Sequence, residues 1–316
     1  MQNLKSHLTS FICCLLFLFF SSIGFSQDQY RDGKIDRPGF SLYYKIVGTK
    51  GPFVIILGGG PGSAVDYMQP VADSLSKYYQ CVLLEQRGTG RSVLKKYDST
   101  TIHMNLYVED LEALRKNIKA KKIILVGNSW GSLLALLYGI KYPLHTAAIL
   151  SLGSSPISSE YAEIFNDNFR LRLLPEEKAI RNQWKEKLKD SAIFIQANYE
   201  RDKIGMPAYY YSREIGLKAA MSLKPADFNY YVPFAFDRAH PYFDIRPNLH
   251  KIISPVLLIQ GRQDLAGEGN IIETSRLISR SKLKFIEKCG HLPWEEKPAE
   301  TWQIIYSFLD QYKYFH

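Results

Sequence analysis

Cysteine is scarce in this chain, with four in 316 residues, and two of them, Cys13 and Cys14, lie in an apolar run near the N-terminus. The remaining pair, Cys81 and Cys289, each sit in or beside a strand-like apolar run. That excludes a disulfide framework and predicts two unlinked buried thiols. Blocks of like charge are also missing: the formal net charge is +9, yet Lys and Arg are scattered among acids throughout. Neither a nucleic-acid face nor an anionic-membrane face is predicted. His103, His145, His240 and His250 lack paired ligand spacing, which argues against zinc. Phosphate and dinucleotide loops are excluded because no G-K-[ST] or G-x-G-x-x-G string occurs.

What is present supports a large folded core, with 46% hydrophobic, 13% aromatic and 22% charged residues. The N-terminus stands apart. Lys5 precedes the apolar run from Phe11 to Phe20, and small residues follow to Ser26. This is the pattern of a secretory signal peptide over 1–26, cleaved after Ser26, and the run is short for a membrane span. A secreted or periplasmic protein with no stable membrane association after cleavage is therefore expected.

From Phe40 onward, short apolar runs alternate with helical periodicity, the rhythm of a mostly parallel sheet flanked by helices. Strands are predicted at 40–47, 53–57, 81–85, 122–126, 147–152, 255–259 and 282–286. Helices are predicted at 64–79, 106–118, from after Gly131 through Tyr142 to the Pro143 stop, near 271–278, and at 298–312. Between Ser155 and about His250 the rhythm breaks into polar, tyrosine-rich helical segments such as 175–197. The chain thus divides into core (27–154), an inserted helical cap (155–250) and a second part of the core (251–316).

Gly127-Asn-Ser-Trp-Gly131 fits G-x-S-x-G, with a β-branched strand before it and a helix after it. Such a turn is sharp enough to lift a serine hydroxyl clear of the sheet, which makes Ser129 a nucleophile candidate. A neutral serine needs a base and an orienting acid, in the chain order Ser, Asp/Glu, His. Asp264 follows the strand 255–259, and His291 leaves the strand 282–286 through Gly290. Both therefore belong at strand carboxyl ends, where open α/β sheets gather their sites. Glu268 is the nearest rival acid. The glycine run Gly58-Gly-Gly-Pro-Gly62 also follows a strand, and the main-chain N–H groups of Gly60 and Trp130 are the candidate oxyanion hole. This chemistry requires no cofactor.

Together Gly58-Gly-Gly-Pro-Gly62, Glu85-Gln-Arg-Gly-Thr-Gly-Arg-Ser92, the Ser129 elbow, Gly261-Arg-Gln-Asp264 and Gly290-His291 resemble the prolyl aminopeptidase (proline iminopeptidase) branch of the α/β-hydrolases. In that family the first motif usually begins with His and the second with Asp, so Gly58 and Glu85 are departures. The resemblance implies an α/β-hydrolase fold and release of an N-terminal residue, often proline, with acidic cap residues holding the free amine. The family's Trp-Glu cap pattern has no match here, and Glu160, Glu163, Glu200, Asp202, Glu214 and Asp237 are the cap acids available. Tyr209 to Tyr211, Tyr230, Tyr231, Phe234 and Phe236 could line a pocket under the cap. The expected partner is a small peptide or ester. A carboxylesterase or lactonase using the same three residues, and a non-catalytic ligand-binding protein, are the alternatives.

Overall fold

The structure, a computed structural model, describes residues 30–312. The expected signal peptide at 1–26 lies outside the described residues. Eight strands form one sheet: β1 (Tyr30–Arg37), β2 (Phe40–Val47), β3 (Phe53–Leu57), β4 (Gln80–Leu84), β5 (Ile123–Ser129), β6 (Thr146–Ser154), β7 (Val256–Gly261) and β8 (Ser281–Ile286). Their spatial order is β1-β2-β4-β3-β5-β6-β7-β8. The β1/β2 and β2/β4 pairs are antiparallel, and every other pair is parallel.

Alternation along the central strands sorts the core into two layers. Ile55, Leu57 and Leu125 pack on one face with α2 (Met104–Asn117) and α3 (Trp130–Lys141), through Leu111, Leu114, Leu133 and Leu134. Val54, Ile56 and Val126 pack on the other with α1 (Gln69–Leu75) and α11 (Pro298–Asp310), through Val71, Leu75, Ile305 and Phe308. Strands covered on both faces read as continuous apolar runs, which is why β3, β5 and β7 stand out in the sequence.

Two elements of the first half of the core differ from expectation. β1 precedes the predicted first strand; its sequence, Tyr-Arg-Asp-Gly-Lys-Ile-Asp-Arg, carries little apolar signal because it is an edge strand. Main-chain pairing to β2 holds it, and the chain reverses at Gly39, whose φ of 84° suits glycine. The single helix predicted at 64–79 is a 3₁₀ turn, Val65–Met68, followed by α1. Pro70 lies in the first turn of α1, where its missing N–H costs nothing, but it cannot continue a helix from upstream.

Between β6 and β7 the chain leaves the sheet for α4 (Ser159–Arg172), α5 (Pro175–Glu186), α6 (Phe194–Gly205), α7 (Arg213–Ser222) and α8 (Tyr231–Ala239). The predicted segment 175–197 is interrupted here, because α5 passes through a 3₁₀ turn before α6 begins. The chain then returns to the sheet, with α9 (Gly267–Leu277) and the short α10 (Pro293–Glu296) flanking β8.

Candidate active site

Ser129 ends β5 and caps α3 with φ 52° and ψ −125°, a conformation that L-residues rarely adopt. The flanking glycines are required by contact. A Cβ on Gly127 would lie 2.2 Å from the Gly131 carbonyl oxygen, and one on Gly131 would lie 2.2 Å from the Leu57 carbonyl oxygen. The elbow is thus pressed against the end of β3, where the glycine loop starts. Trp130 opens α3, so its N–H belongs to the first turn, which has no intrahelical acceptor, and the helix dipole adds positive potential there.

The glycine loop is close by. A Cβ on Gly59 would meet Ser129 Cβ at 3.1 Å, and Gly60 has φ 108° ahead of a cis peptide to Pro61. Gly59 donates its N–H to the Tyr67 hydroxyl at 2.6 Å, and that hydroxyl donates to Asn128 Oδ1 at 2.8 Å. Asn128 in turn donates from Nδ2 to the Leu152 and His291 carbonyl oxygens at 2.6 and 3.3 Å. The residue before Ser129 therefore ties the glycine loop, β6 and the His291 backbone into one network. In the sequence Asn128 is only the variable position of the motif.

Asp264 and His291 meet directly. Nδ1 of His291 lies 2.9 and 3.0 Å from the two Asp264 carboxylate oxygens, and both side chains are buried. The Ala266 N–H also donates to Asp264 at 2.9 Å. With Nδ1–H donating to a carboxylate, the neutral ring carries its lone pair on Nε2. Nε2 is buried and has no hydrogen-bond partner among the described residues. The rival acid, Glu268, is occupied elsewhere: it accepts from Arg262 Nη1 at 3.0 Å near the surface.

The motif at 85–92 turns out to be scaffolding. Gln86 donates to the Gly58 carbonyl at 2.8 Å and accepts from Trp130 Nε1 at 2.8 Å, which spans the glycine loop and α3. Arg87 is buried in a forked pair with Asp110, at 2.8 and 2.9 Å. Glu85, one of the departures, accepts from Arg91 Nε at 2.8 Å. The other departure, Gly58, faces Tyr67, and a Cβ there would be 3.4 Å from that ring.

The cap supplies the walls. Phe165 of α4 and Tyr209 flank the His291 ring at 5.8 and 5.7 Å between centroids, and Phe236 of α8 packs on Trp130 at 4.8 Å. Burial pushes the Tyr209 hydroxyl up to about 12. Phe165 carries no sequence signal, because its neighbours on α4 are mostly polar. Of the expected aromatics, Tyr211, Tyr231 and Phe234 are exposed, and Tyr210 donates to Glu295 at 2.8 Å. Tyr230 packs on Phe228 at 4.9 Å.

Most of the cap acids face solvent or an ion pair. Glu160 pairs with Arg246 and Glu214 with Lys218, while Glu163 and Asp237 are exposed and Glu200 accepts from Gln196. Asp202 on α6 differs. Burial holds its carboxyl above the ordinary range, against the pull of Arg181, Arg201 and the Tyr230 hydroxyl. Its charge and that of Asp264 both act on Tyr209. Cys81 and Cys289 are free, buried thiols, each pushed by burial up to about 12. His103 and His240 lie 4.4 Å apart, their rings tilted by 56°, where α2 meets α8.

A family model described as alpha/beta hydrolase fold matches residues 52–298. A proline iminopeptidase from Lactobacillus helveticus (strain DPC 4571) is 29% identical over 297 residues, covering 89% of this chain and 98% of the relative. A proline iminopeptidase from Saccharolobus solfataricus (strain ATCC 35092 / DSM 1617 / JCM 11322 / P2) is 30% identical over 292 residues, covering 86% of this chain and 90% of the relative. Among solved structures, a proline iminopeptidase-related protein from Thermus thermophilus superposes with a TM-score of 0.69 at 20% identity, over 90% of this chain and 96% of that one.

Proposed function

The chain belongs to the alpha/beta hydrolase family, in its proline-iminopeptidase branch, and is a hydrolase; from that premise we propose a serine mechanism acting on small substrates with a free N-terminus. Ser129 Oγ attacks the scissile carbonyl carbon while His291 Nε2 takes the hydroxyl proton. Asp264 holds the imidazole tautomer and stabilises the imidazolium as it forms. The N–H groups of Gly60 and Trp130 receive the negative charge that develops on the carbonyl oxygen. His291 then returns the proton to the leaving amine, which leaves an ester on Ser129. Water hydrolyses that ester by the same proton route in reverse.

The observation carrying this reading is the 2.9 Å contact from Asp264 to His291 Nδ1, with Nε2 left unpartnered. Asp202 supports recognition of a free amine: it is a cap acid whose carboxyl is held by burial above the ordinary range, and its charge acts on Tyr209, whose ring lies 5.7 Å from that of His291. The second reading, an esterase or lactonase, draws on the same spot. Arg181 and Arg201 already oppose the Asp202 charge, so the local surplus is cationic and suits an uncharged or anionic ester. From the signal-like pattern at 1–26 we also propose that the protein is exported, and that its substrate is a small peptide or ester.

Aminoacyl-naphthylamides assayed beside p-nitrophenyl esters separate the two. The peptidase reading expects naphthylamine release that depends on the free amine, with Asp202→Asn raising KM for those substrates and not for esters. Ester turnover with no naphthylamine release would remove it. A fluorophosphonate should label the wild type and not Ser129→Ala, and an unlabelled wild type would favour a binding protein.

A further inference from the structure

Three consecutive main-chain donors of the histidine loop are each held by a different part of the molecule. Cys289 N–H donates to Gln263 Oε1 at 3.1 Å, Gly290 N–H to Glu296 Oε2 at 2.5 Å, and His291 N–H to the Tyr209 carbonyl at 2.8 Å. Gln263 is the neighbour of Asp264, Glu296 ends α10, and Tyr209 belongs to the cap. The second oxygen of Glu296 does not point to water. It accepts the N–H of Ser212, the residue that caps α7, at 2.8 Å.

Half-buried Glu296 thus bridges two main-chain amides, one in the loop that carries His291 and one in the cap. The fit is close. A Cβ on Gly290 would lie 2.3 Å from the Tyr209 carbonyl and 2.9 Å from Tyr210 Cα, so the two backbones touch. Bonds from a carboxylate to N–H groups are charge-assisted and stronger than neutral ones, and a planar carboxylate fixes both partners at once. Its neighbour Glu295 makes a cap contact of another kind, accepting from the Tyr210 hydroxyl at 2.8 Å without touching the histidine loop.

We propose that Glu296 is a positioning residue for His291: its carboxylate fastens the histidine loop to cap residues 209–212, so that Nε2 is correctly placed only while the cap is docked. The proposal rests on the serine-hydrolase reading above. A general base displaced by about 1 Å loses on the order of 100-fold in rate. Glu296→Ala should therefore lower kcat on a small aryl ester about 100-fold. Glu296→Gln retains one acceptor oxygen and must release one amide, so about tenfold is expected.

The test measures kcat, KM, the rate of fluorophosphonate labelling and the thermal midpoint for wild type, Glu296→Gln, Glu296→Ala and Glu295→Gln. Positioning expects kcat and labelling rate to fall together in the Glu296 variants at near-constant KM. Glu295→Gln, in the same turn, should keep the wild-type kcat. A general loosening of the cap would instead raise KM in both Glu295→Gln and Glu296→Gln, and that outcome overturns the proposal. So does a Glu296→Gln enzyme that labels as fast as a labelling wild type. A wild type that does not label at all overturns the serine-hydrolase reading and the proposal with it.

Discussion

The core and the cap of this molecule bury apolar surface to different degrees. α3 buries nine residues, Trp130 through Leu136 with Tyr138 and Gly139, against the sheet. The cap helices α4 and α5 bury none completely. The core is thus secured by apolar area removed from water, at about 25 cal/mol per Å². The cap buries less, chiefly Val232, Ala235 and Phe236 of α8 in the core cluster, and adds hydrogen bonds and aromatic contacts at a few seams. One seam lies at the glycine loop, where Asn229 N–H donates to the Gly62 carbonyl at 2.9 Å and Ala64 N–H to Asp227 at 2.8 Å. Another lies at Tyr209 and Ser212, beside His291, and a third where Asn168 of α4 donates to the Leu265 carbonyl at 2.9 Å. A layer attached at its seams can change its lining without disturbing the sheet, and its seams fall on the loops that carry the candidate chemistry.

If the chemistry resides in the core, core substitutions should have the largest effects. Asp264→Asn should lower kcat about 10⁴-fold by replacing one carboxylate oxygen with a donor, which permits the wrong imidazole tautomer and removes the charge that stabilises the imidazolium. Glu268→Gln should leave kcat unchanged, because Glu268 faces Arg262. Steady-state assays on one substrate compare the two, and equal losses would mean that Asp264 has been given the wrong role.

Packing density sharpens the contrast at the next level. Gly131→Ala drives a methyl into the Leu57 carbonyl, a main-chain atom that cannot move aside, and should destabilise the fold by about 3 kcal/mol. Gly269→Ala, in α9 beneath the cap, places its methyl 3.6 Å from the Tyr161 ring, an ordinary contact. There the helical preference for alanine should stabilise by about 0.5–1 kcal/mol. Urea unfolding would report opposite signs for the pair.

The smallest effect is a slope. Burial, with His103 second, holds His240 down to about 4, and its Nε2 accepts the Met104 N–H at 3.0 Å. The folded state therefore resists protonation that the unfolded chain accepts near 6.5. Between those values the unfolded state binds more protons, so stability falls as pH drops through that window and levels off below about 4. His240→Gln keeps an acceptor for Met104 and removes the titration, and should flatten thermal midpoints across that range. An unchanged slope would place the acid sensitivity elsewhere.

Much of the core could be read in advance because its signals are local. β2 and β3 begin and end where the apolar pattern places them, and G-x-S-x-G carries its own structural demand in two glycines with no room for a Cβ. β1 escaped because an edge strand held by main-chain pairing needs no apolar code. Individual positions escaped for the same kind of reason: nothing nearby in sequence announces what Phe165 and Asp202 of the cap and Glu296 of α10 face.

By itself the sequence determined the doubly covered sheet, the sharp turn at Ser129 and the candidacy of Ser129, of His291 and of an acid just after β7. Each of these follows from backbone sterics and the periodicity of apolar side chains over a few residues. Only the tertiary structure decided that Asp264 rather than Glu268 meets His291, that Asn128 and Gln86 bind the site loops together, and that Glu296 bridges the histidine loop to the cap. Those choices depend on hydrogen bonds 2.5 to 3.3 Å long between residues 6 to 163 positions apart, whose meeting is set by the packing of the whole sheet, and no local pattern encodes it.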